Sequence, residues 1–148
     1  MFRALYRAGF ANQPDGRTAD DGLRLSRVYI TAAVRCAPPA NRPTAAERDH
    51  CRPYLEEELE IFCSSHSAGR VVVALGGFAF DQVLRILQAA DEGVPVIRRK
   101  FSHGAEVAFG GRTVLGCYHP SQQNTFTGRL TEPMFDAVWE RAKRLISD

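Results

Sequence analysis

The sequence predicts an α/β fold with a mainly parallel central sheet and helices on both faces. Apolar, β-branched runs at 27–34, 70–75 and 113–117 alternate with stretches of helical periodicity. The first two runs lack the in-and-out alternation of a half-exposed strand, which suits strands covered on both faces. Gly76-Gly77 stands between the second run and a helical stretch, where a strand must turn sharply into a helix. The 148 residues suffice for one domain, 1–148, and 45% hydrophobic with 24% charged residues is ordinary for a globular chain.

Taken in order, the first segment carries Phe2, Leu5 and Tyr6 at helical spacing and stops at Gly9, a residue suited to closing a helix. No Ser, Thr, Asp or Asn caps its start, so the helix is expected to continue from upstream sequence and the domain to be incomplete at its N-terminus. Residues 11–25, with Pro14, Asp15-Gly16 and Asp20-Asp21-Gly22, form a loop. The run at 27–34 is the first strand. It leads into Arg35–Pro43, where three prolines impose a rigid loop at a strand's C-terminal end, the usual place for a ligand in an open α/β sheet.

Thr44 and Glu47 make a capping box for the next helix. Pro53 is expected to break that helix in two, the second part turning Leu55, Leu59 and Phe62 to the core and Glu56, Glu57, Glu58 and Glu60 to solvent. A second strand at 70–75 and a helix at 78–90 follow, then a linker, Asp91–Lys100, and a short loop, Phe101–Ala105. Two strands at 106–109 and 113–117 meet across Gly110-Gly111. Thr131-Glu132-Pro133 opens the last helix, whose stripe Phe135, Val138, Trp139, Ala142 and Leu145 is core.

The net charge of +2 leaves no strong electrostatic footprint, and no run of 18 apolar residues offers a membrane span. No secretory leader is expected. The four cysteines, Cys36, Cys51, Cys63 and Cys117, are then expected to be reduced in the cytoplasm, where ligation or burial is commoner than a disulfide.

The stretch with the most chemistry is Tyr118-His119-Pro120-Ser121, continued through Gln122 to Thr131. A His-Pro step ends an apolar strand and opens a cluster of amides and hydroxyls with one aromatic, one Gly and one Arg. A core helix has no use for that composition, whereas a loop touching a polar, anionic partner does. Ser121, Gln122, Asn124, Thr125 and Thr127 can hydrogen-bond such a partner, a phosphate for example, and Arg129 can neutralise its charge.

Three stretches together resemble the uracil-DNA glycosylase superfamily, specifically its iron–sulfur branch, family 5 or type b. They are Tyr29–Pro43; Cys51-Arg52-Pro53-Tyr54-Leu55 followed by Val73-Ala74-Leu75-Gly76; and Phe101-Ser102-His103-Gly104-Ala105 with Tyr118–Thr131. The resemblance implies a three-layer α/β/α sandwich, hydrolysis of the N-glycosidic bond of uracil in DNA during base excision repair, and a [4Fe–4S] cluster held by four cysteines. Its partner is uracil-containing DNA, with no membrane, and the chain is expected to be a monomer. The base range, uracil alone or further deaminated bases, stays open.

By the same resemblance, His119 donates to the uracil oxygen as the base departs, Asn41 contacts the base or the attacking water, and Cys36 and Cys51 are two of the four cluster ligands. Excision also needs the base out of the stack, and Phe126 or Leu130 is the candidate wedge for the gap. The family's Gly-rich first motif, an aspartate that positions water and the other two cluster cysteines precede the stretches that match. The first strand and first motif are thus expected to be missing from this chain. Cys63 and Cys117 match no ligand position; Cys117 reads as a core residue, and a zinc site built from His50, His103, Cys36 and Cys51 is a weaker alternative.

Two other readings compete: a DNA-binding fragment that performs little or no chemistry, and an unrelated nucleotide-binding α/β domain using Gly76-Gly77 as its anion site. If an early strand is missing, a sheet edge is exposed. The 148-residue chain is then expected to melt early or aggregate on heating. A cooperative thermal transition of ordinary height contradicts this.

Overall fold

Two of the three apolar runs become neighbouring strands, β1 (Val71–Leu75) and β3 (Arg112–Cys117). They pair in parallel, with Val71 opposite Thr113 and Leu75 opposite Cys117. β2 (Glu106–Phe109) pairs antiparallel with β3 and completes the order β1-β3-β2. The computed structural model describes residues 1–63, 70–90, 99–109 and 111–147, without the side chains of Asn41, Cys63 and Phe109. The linker expected at Asp91–Lys100 falls mostly outside these residues, as does Gly110 of the turn. Among them the sheet is mixed rather than mainly parallel, because the hairpin adds an antiparallel edge to a single parallel pair.

Side chains of β1 and β3 alternate between two separate cores. Val71, Val73, Leu75, Leu115 and Cys117 join α1 (Phe2–Ala8) and α5 (Glu132–Ser147). Val72, Ala74 and Val114 join α3 (Gly77–Ala90) and α2 (Ala45–Cys63). Helices therefore cover both faces, giving three layers. Leu5, Phe80 and Val114 are fully buried, each worth about 2 kcal/mol in area removed from water. In α1, Ala4, Leu5 and Ala8 face the core while Tyr6 is half exposed, and Gly9 closes the helix at φ +84°. Among the described residues no helix is long and apolar enough to cross a membrane.

The structure corrects three expectations about the first half of the chain. Residues 27–34 form no strand, and Tyr29 and Ile30 are exposed. β-branched content records a fit to a pleated, half-buried surface rather than an obligation to pair, and here side-chain bonds to α2 take the place of a ladder. Pro53 lies inside one continuous helix. Its missing N–H frees the Asp49 carbonyl on an exposed face where water can serve it, while the Thr44–Glu47 box and the burial of Leu55 and Leu59 hold the two halves in line. Phe62, expected in the core, is exposed and stacks on Tyr29 at 4.2 Å.

The glutamate run also departs from a simple solvated face. Cys51, Tyr54, Glu58 and Phe62 fall on one stripe of α2 at helical spacing, and segment 29–36 lies along it in the opposite direction. Phe62 meets Tyr29; Glu58 accepts from the hydroxyls of Tyr29 (2.9 Å) and Thr31 and from Arg35 Nη2 (2.5 Å). The Arg35 guanidinium lies over the Tyr54 ring at 4.7 Å, and the Arg35 N–H donates to Cys51 Sγ at 3.4 Å. The Thr31 hydroxyl first, then Tyr29 and Arg35, hold the Glu58 carboxyl below its ordinary value against the opposing effect of desolvation.

Just before β2, the loop at 101–105 closes over Gly116 of β3. Gly104 N–H donates to the Gly116 carbonyl at 2.8 Å, and Gly116 N–H donates to the Ala105 carbonyl at 2.7 Å. A Cβ at Gly116 would stand 2.7 Å from the Ser102 carbonyl oxygen and 3.3 Å from the Ala105 Cβ. The absent side chain is what lets the loop lie against the strand.

Two outcomes are expected. Gly116→Ala pushes the 101–105 loop off β3 and costs about 1–3 kcal/mol of unfolding free energy in a denaturant titration. Because the folded Glu58 value is depressed, its contribution to stability is complete above the ordinary glutamate pKa and is lost as pH falls through the folded value. Glu58→Gln should therefore reduce the acid-side fall in melting temperature relative to the parent chain.

Candidate functional site

Parallel pairing sends the C-terminal ends of β1 and β3 to the same edge of the sheet. There Gly76, at φ +94°, turns the chain from β1 into α3 and donates its N–H to the Cys117 carbonyl at 2.7 Å. A Cβ on Gly76 would lie 3.5 Å from that of His119, so the turn and the histidine are in side-by-side contact. Gly77 packs on the Phe101 ring, with its virtual Cβ at 3.2 Å. The Gly-Gly turn thus serves close packing.

After His119 and Pro120 the chain forms a short helix, α4 (Gln122–Phe126), within the segment expected to be a loop. The Ser121 hydroxyl oxygen caps it, accepting the Asn124 N–H at 3.3 Å. Asn124 ties the segment at both ends. Its side-chain amide donates to the His119 carbonyl at 2.8 Å, and its own carbonyl accepts the Leu130 N–H at 3.0 Å. The hydroxyls of Thr125 and Thr127 donate back to the Ser121 (3.0 Å) and Gln123 (2.7 Å) carbonyls, which turns their protons inward.

The two candidate wedges separate clearly. Leu130 is 3% exposed and sits in the core with α1 and α5, whereas Phe126 is 82% exposed. Gln122 and Arg129 are exposed as well, and the Arg129 guanidinium rests over the Tyr118 ring at 4.7 Å. His119 itself is exposed. Directly beside Pro120, Thr125 and Leu130, a cavity of about 540 Å³ opens toward Arg3 and Arg7 of α1.

The second cluster lies in the 35–43 loop, where Pro39–Asn41 make a 3₁₀ turn despite the neighbouring prolines. Ala40 is held at φ +53°, a left-handed conformation that costs a non-glycine residue about 1 kcal/mol, immediately before Asn41. The Asn41 side chain lies outside the described residues. Cys36, exposed, and Cys51, half-buried, lie side by side. Loss of hydration first, then the Glu47 carboxylate and Cys51, hold the Cys36 thiol above its ordinary value.

Two adjacent thiols fit half of a four-cysteine site. Among the described residues no group of three or more His, Cys, Asp or Glu could hold a metal ion, so neither the full cluster set nor the zinc alternative with His50 and His103 forms there. Cys117 is fully buried, its thiol pushed up to about 12 by desolvation, and the Cys63 side chain lies outside the description. Among the described residues no hydrogen bond joins the 35–43 loop to the 118–131 segment.

Sequence reasoning missed the work of Glu58 and Tyr118. The 51-54-58-62 spacing held the signal for Glu58, since a polar residue in line with a cysteine and two aromatics is poorly explained by solvation alone. Tyr118 packs against both Phe101 (5.9 Å between centroids) and His103 (5.1 Å), a contact that sequence spacing does not reveal.

A Type-5 uracil-DNA glycosylase from Mycobacterium bovis is 50% identical over 146 residues, 98% of this chain and 52% of the relative. One from Mycobacterium leprae is 48% identical over 147 residues, covering 98% and 61%. One from Pyrobaculum aerophilum is 44% identical over 142 residues, covering 96% and 58%. The chain thus spans between half and two thirds of the length of these relatives. The family model described as the uracil DNA glycosylase superfamily matches residues 1–143, and the chain belongs to that superfamily.

Proposed function

We propose that this chain carries the catalytic histidine and DNA-gripping segment of a DNA repair glycosylase that hydrolyses the N-glycosidic bond of uracil. The observation that carries this reading is His119: exposed just beyond the end of β3, fixed through its carbonyl by Asn124, and set against the Gly76 turn. The names of the relatives, uracil-DNA glycosylases of Type 5, support the substrate.

The chemistry follows from charge. A base inside a duplex hides its glycosidic bond, so it must first leave the stack at a cost of a few kcal/mol. Phe126, 82% exposed on a capped helical turn, is suited to enter the gap, and Gln122 and Arg129 to hold the flanking backbone. As the bond breaks, negative charge builds on the uracil oxygens and positive charge on the sugar. An imidazole N–H of His119 aimed at that oxygen stabilises the leaving base, whether the ring is neutral or protonated. Asn41 is the proposed contact to the base or to water, and the strained Ala40 beside it is what a preorganised turn would show.

Ser121 and Asn124 act here chiefly as the frame of the segment, and the hydroxyl oxygens of Thr125 and Thr127 are left as acceptors. Cys36 and Cys51 are proposed as two ligands of a [4Fe–4S] cluster, which would brace the 35–43 loop against α2; no step of base release passes through it.

The test is an end-labelled duplex with one uracil, developed with alkali, using the 148-residue chain and the same reading frame extended upstream. Strand scission at the uracil is expected, with His119→Ala slowing it roughly 100-fold or more and Phe126→Ala weakening it without loss of melting temperature. Duplex binding without scission in either form would instead favour a DNA-binding module, and scission in neither form without binding removes the glycosylase reading.

A further inference from the structure

His119 follows Tyr118, and Tyr118 is gripped from several sides. β3 ends at Cys117, so the Tyr118 N–H is the first backbone donor beyond the strand. It donates to Nδ1 of His103 at 3.2 Å, which puts a side-chain acceptor where a further ladder bond would have been. A ring nitrogen that accepts from an amide carries no proton, so His103 is in its Nε2–H tautomer. The same two residues also pack ring against ring, with centroids 5.1 Å apart and planes at 36°. The Phe101 edge and the Arg129 guanidinium complete the enclosure of Tyr118.

His103 can hold this post because its own loop is fixed. The Gly104 N–H to the Gly116 carbonyl, the Gly116 N–H to the Ala105 carbonyl, and the missing Cβ of Gly116 seat residues 101–105 on the strand. His103 also borders a cavity of about 390 Å³, whose lining includes Glu106, Arg141 and Arg144; Glu106 and Arg141 pair with each other at 2.7 Å.

The geometry points to His103 as a positioning residue for His119. By accepting the Tyr118 amide it fixes the backbone on the N-terminal side of His119, as Asn124 fixes the carbonyl on the C-terminal side. His119 hangs between these two clamps, which is how a side chain on an irregular segment keeps an aim that catalysis can use. His103 acts through Tyr118 and is assigned no contact with the reacting atoms. Only the kinetic arm of this inference rests on the glycosylase reading.

Two substitutions separate positioning from packing. His103→Phe keeps a ring against Tyr118 and removes the acceptor; His103→Asn removes the ring and keeps an acceptor oxygen near the Nδ1 position. His103→Phe is expected to lower kcat for uracil release roughly 10–100-fold with KM little changed, and His103→Asn to restore most of it. Amide exchange at Tyr118 should quicken in His103→Phe and be slowed again in His103→Asn, and the His119 ring resonances should move and return in step. Unchanged kcat in His103→Phe alongside fast Tyr118 exchange overturns the inference, as does an inactive His103→Asn whose Tyr118 amide is protected. If the parent chain releases no uracil, the function reading fails separately and the resonances decide: His119 signals that stay in place in His103→Phe overturn the positioning role. His103→Leu serves as a second acceptor-free variant should His103→Phe not fold.

Discussion

The parallel pairing of β1 with β3 is the constraint on which the site depends. Two parallel strands end at the same edge, so the turn at Gly76 and the strand exit at Cys117 meet there and share a 2.7 Å hydrogen bond. An antiparallel pair would have sent them to opposite edges. With the exits together, His119 can rest against a glycine that offers no side chain, and the helix dipole of α3 begins close by. The antiparallel β2 then brings the 101–105 loop to the same edge from the other side of β3. Three short strands are enough to assemble the histidine, its neighbouring ring and its backbone clamps.

What was legible in the sequence was local. Gly9, the Thr44–Glu47 box and Gly76-Gly77 each announced a boundary, because a left-handed turn, an orphan N–H and a close approach have few solutions among the amino acids. His119 was legible for the same reason, since a His-Pro step breaks a strand in a recognisable way. The state of residues 27–34 was not, because it is decided by what lies alongside: α2 offers Glu58 and Phe62, and the segment takes those bonds rather than a strand's. Pro53 misled likewise, its cost depending on whether the freed carbonyl meets water or core. Within the site, composition marked Thr125 and Thr127 as polar but could not tell that their protons turn back into the helix, nor that Phe126 points outward while Leu130 is swallowed by the core.

Segment 29–36 shows how an exposed stretch is ordered without a ladder or deep burial. An aromatic stack, a half-buried carboxylate with three donors, a guanidinium over a ring and an amide on a sulfur succeed one another along one face of α2. Singly, such exposed contacts contribute little. In sequence they fix a register, and a register is what keeps Cys36 beside Cys51 rather than a turn away. The thiol pair is thus a product of the α2 stripe as much as of the cysteines themselves.

Among the described residues the buried side chains form two cores, one on each side of the sheet. One holds Leu130 and so anchors the histidine-bearing segment; the other holds Leu55 and Leu59 and so anchors the cysteine-bearing helix. They share the backbone of β1 and β3, the edge contact of Phe101 with Tyr118, and the segment that packs Val28 on one core and Ala33 on the other. Substitutions in opposite layers have few common neighbours, so their effects should combine almost independently. Over evolutionary time each layer is free to repack, to drift or to be tuned for temperature at its own pace, and the sheet between them works as a partition that keeps the history of one from constraining the other.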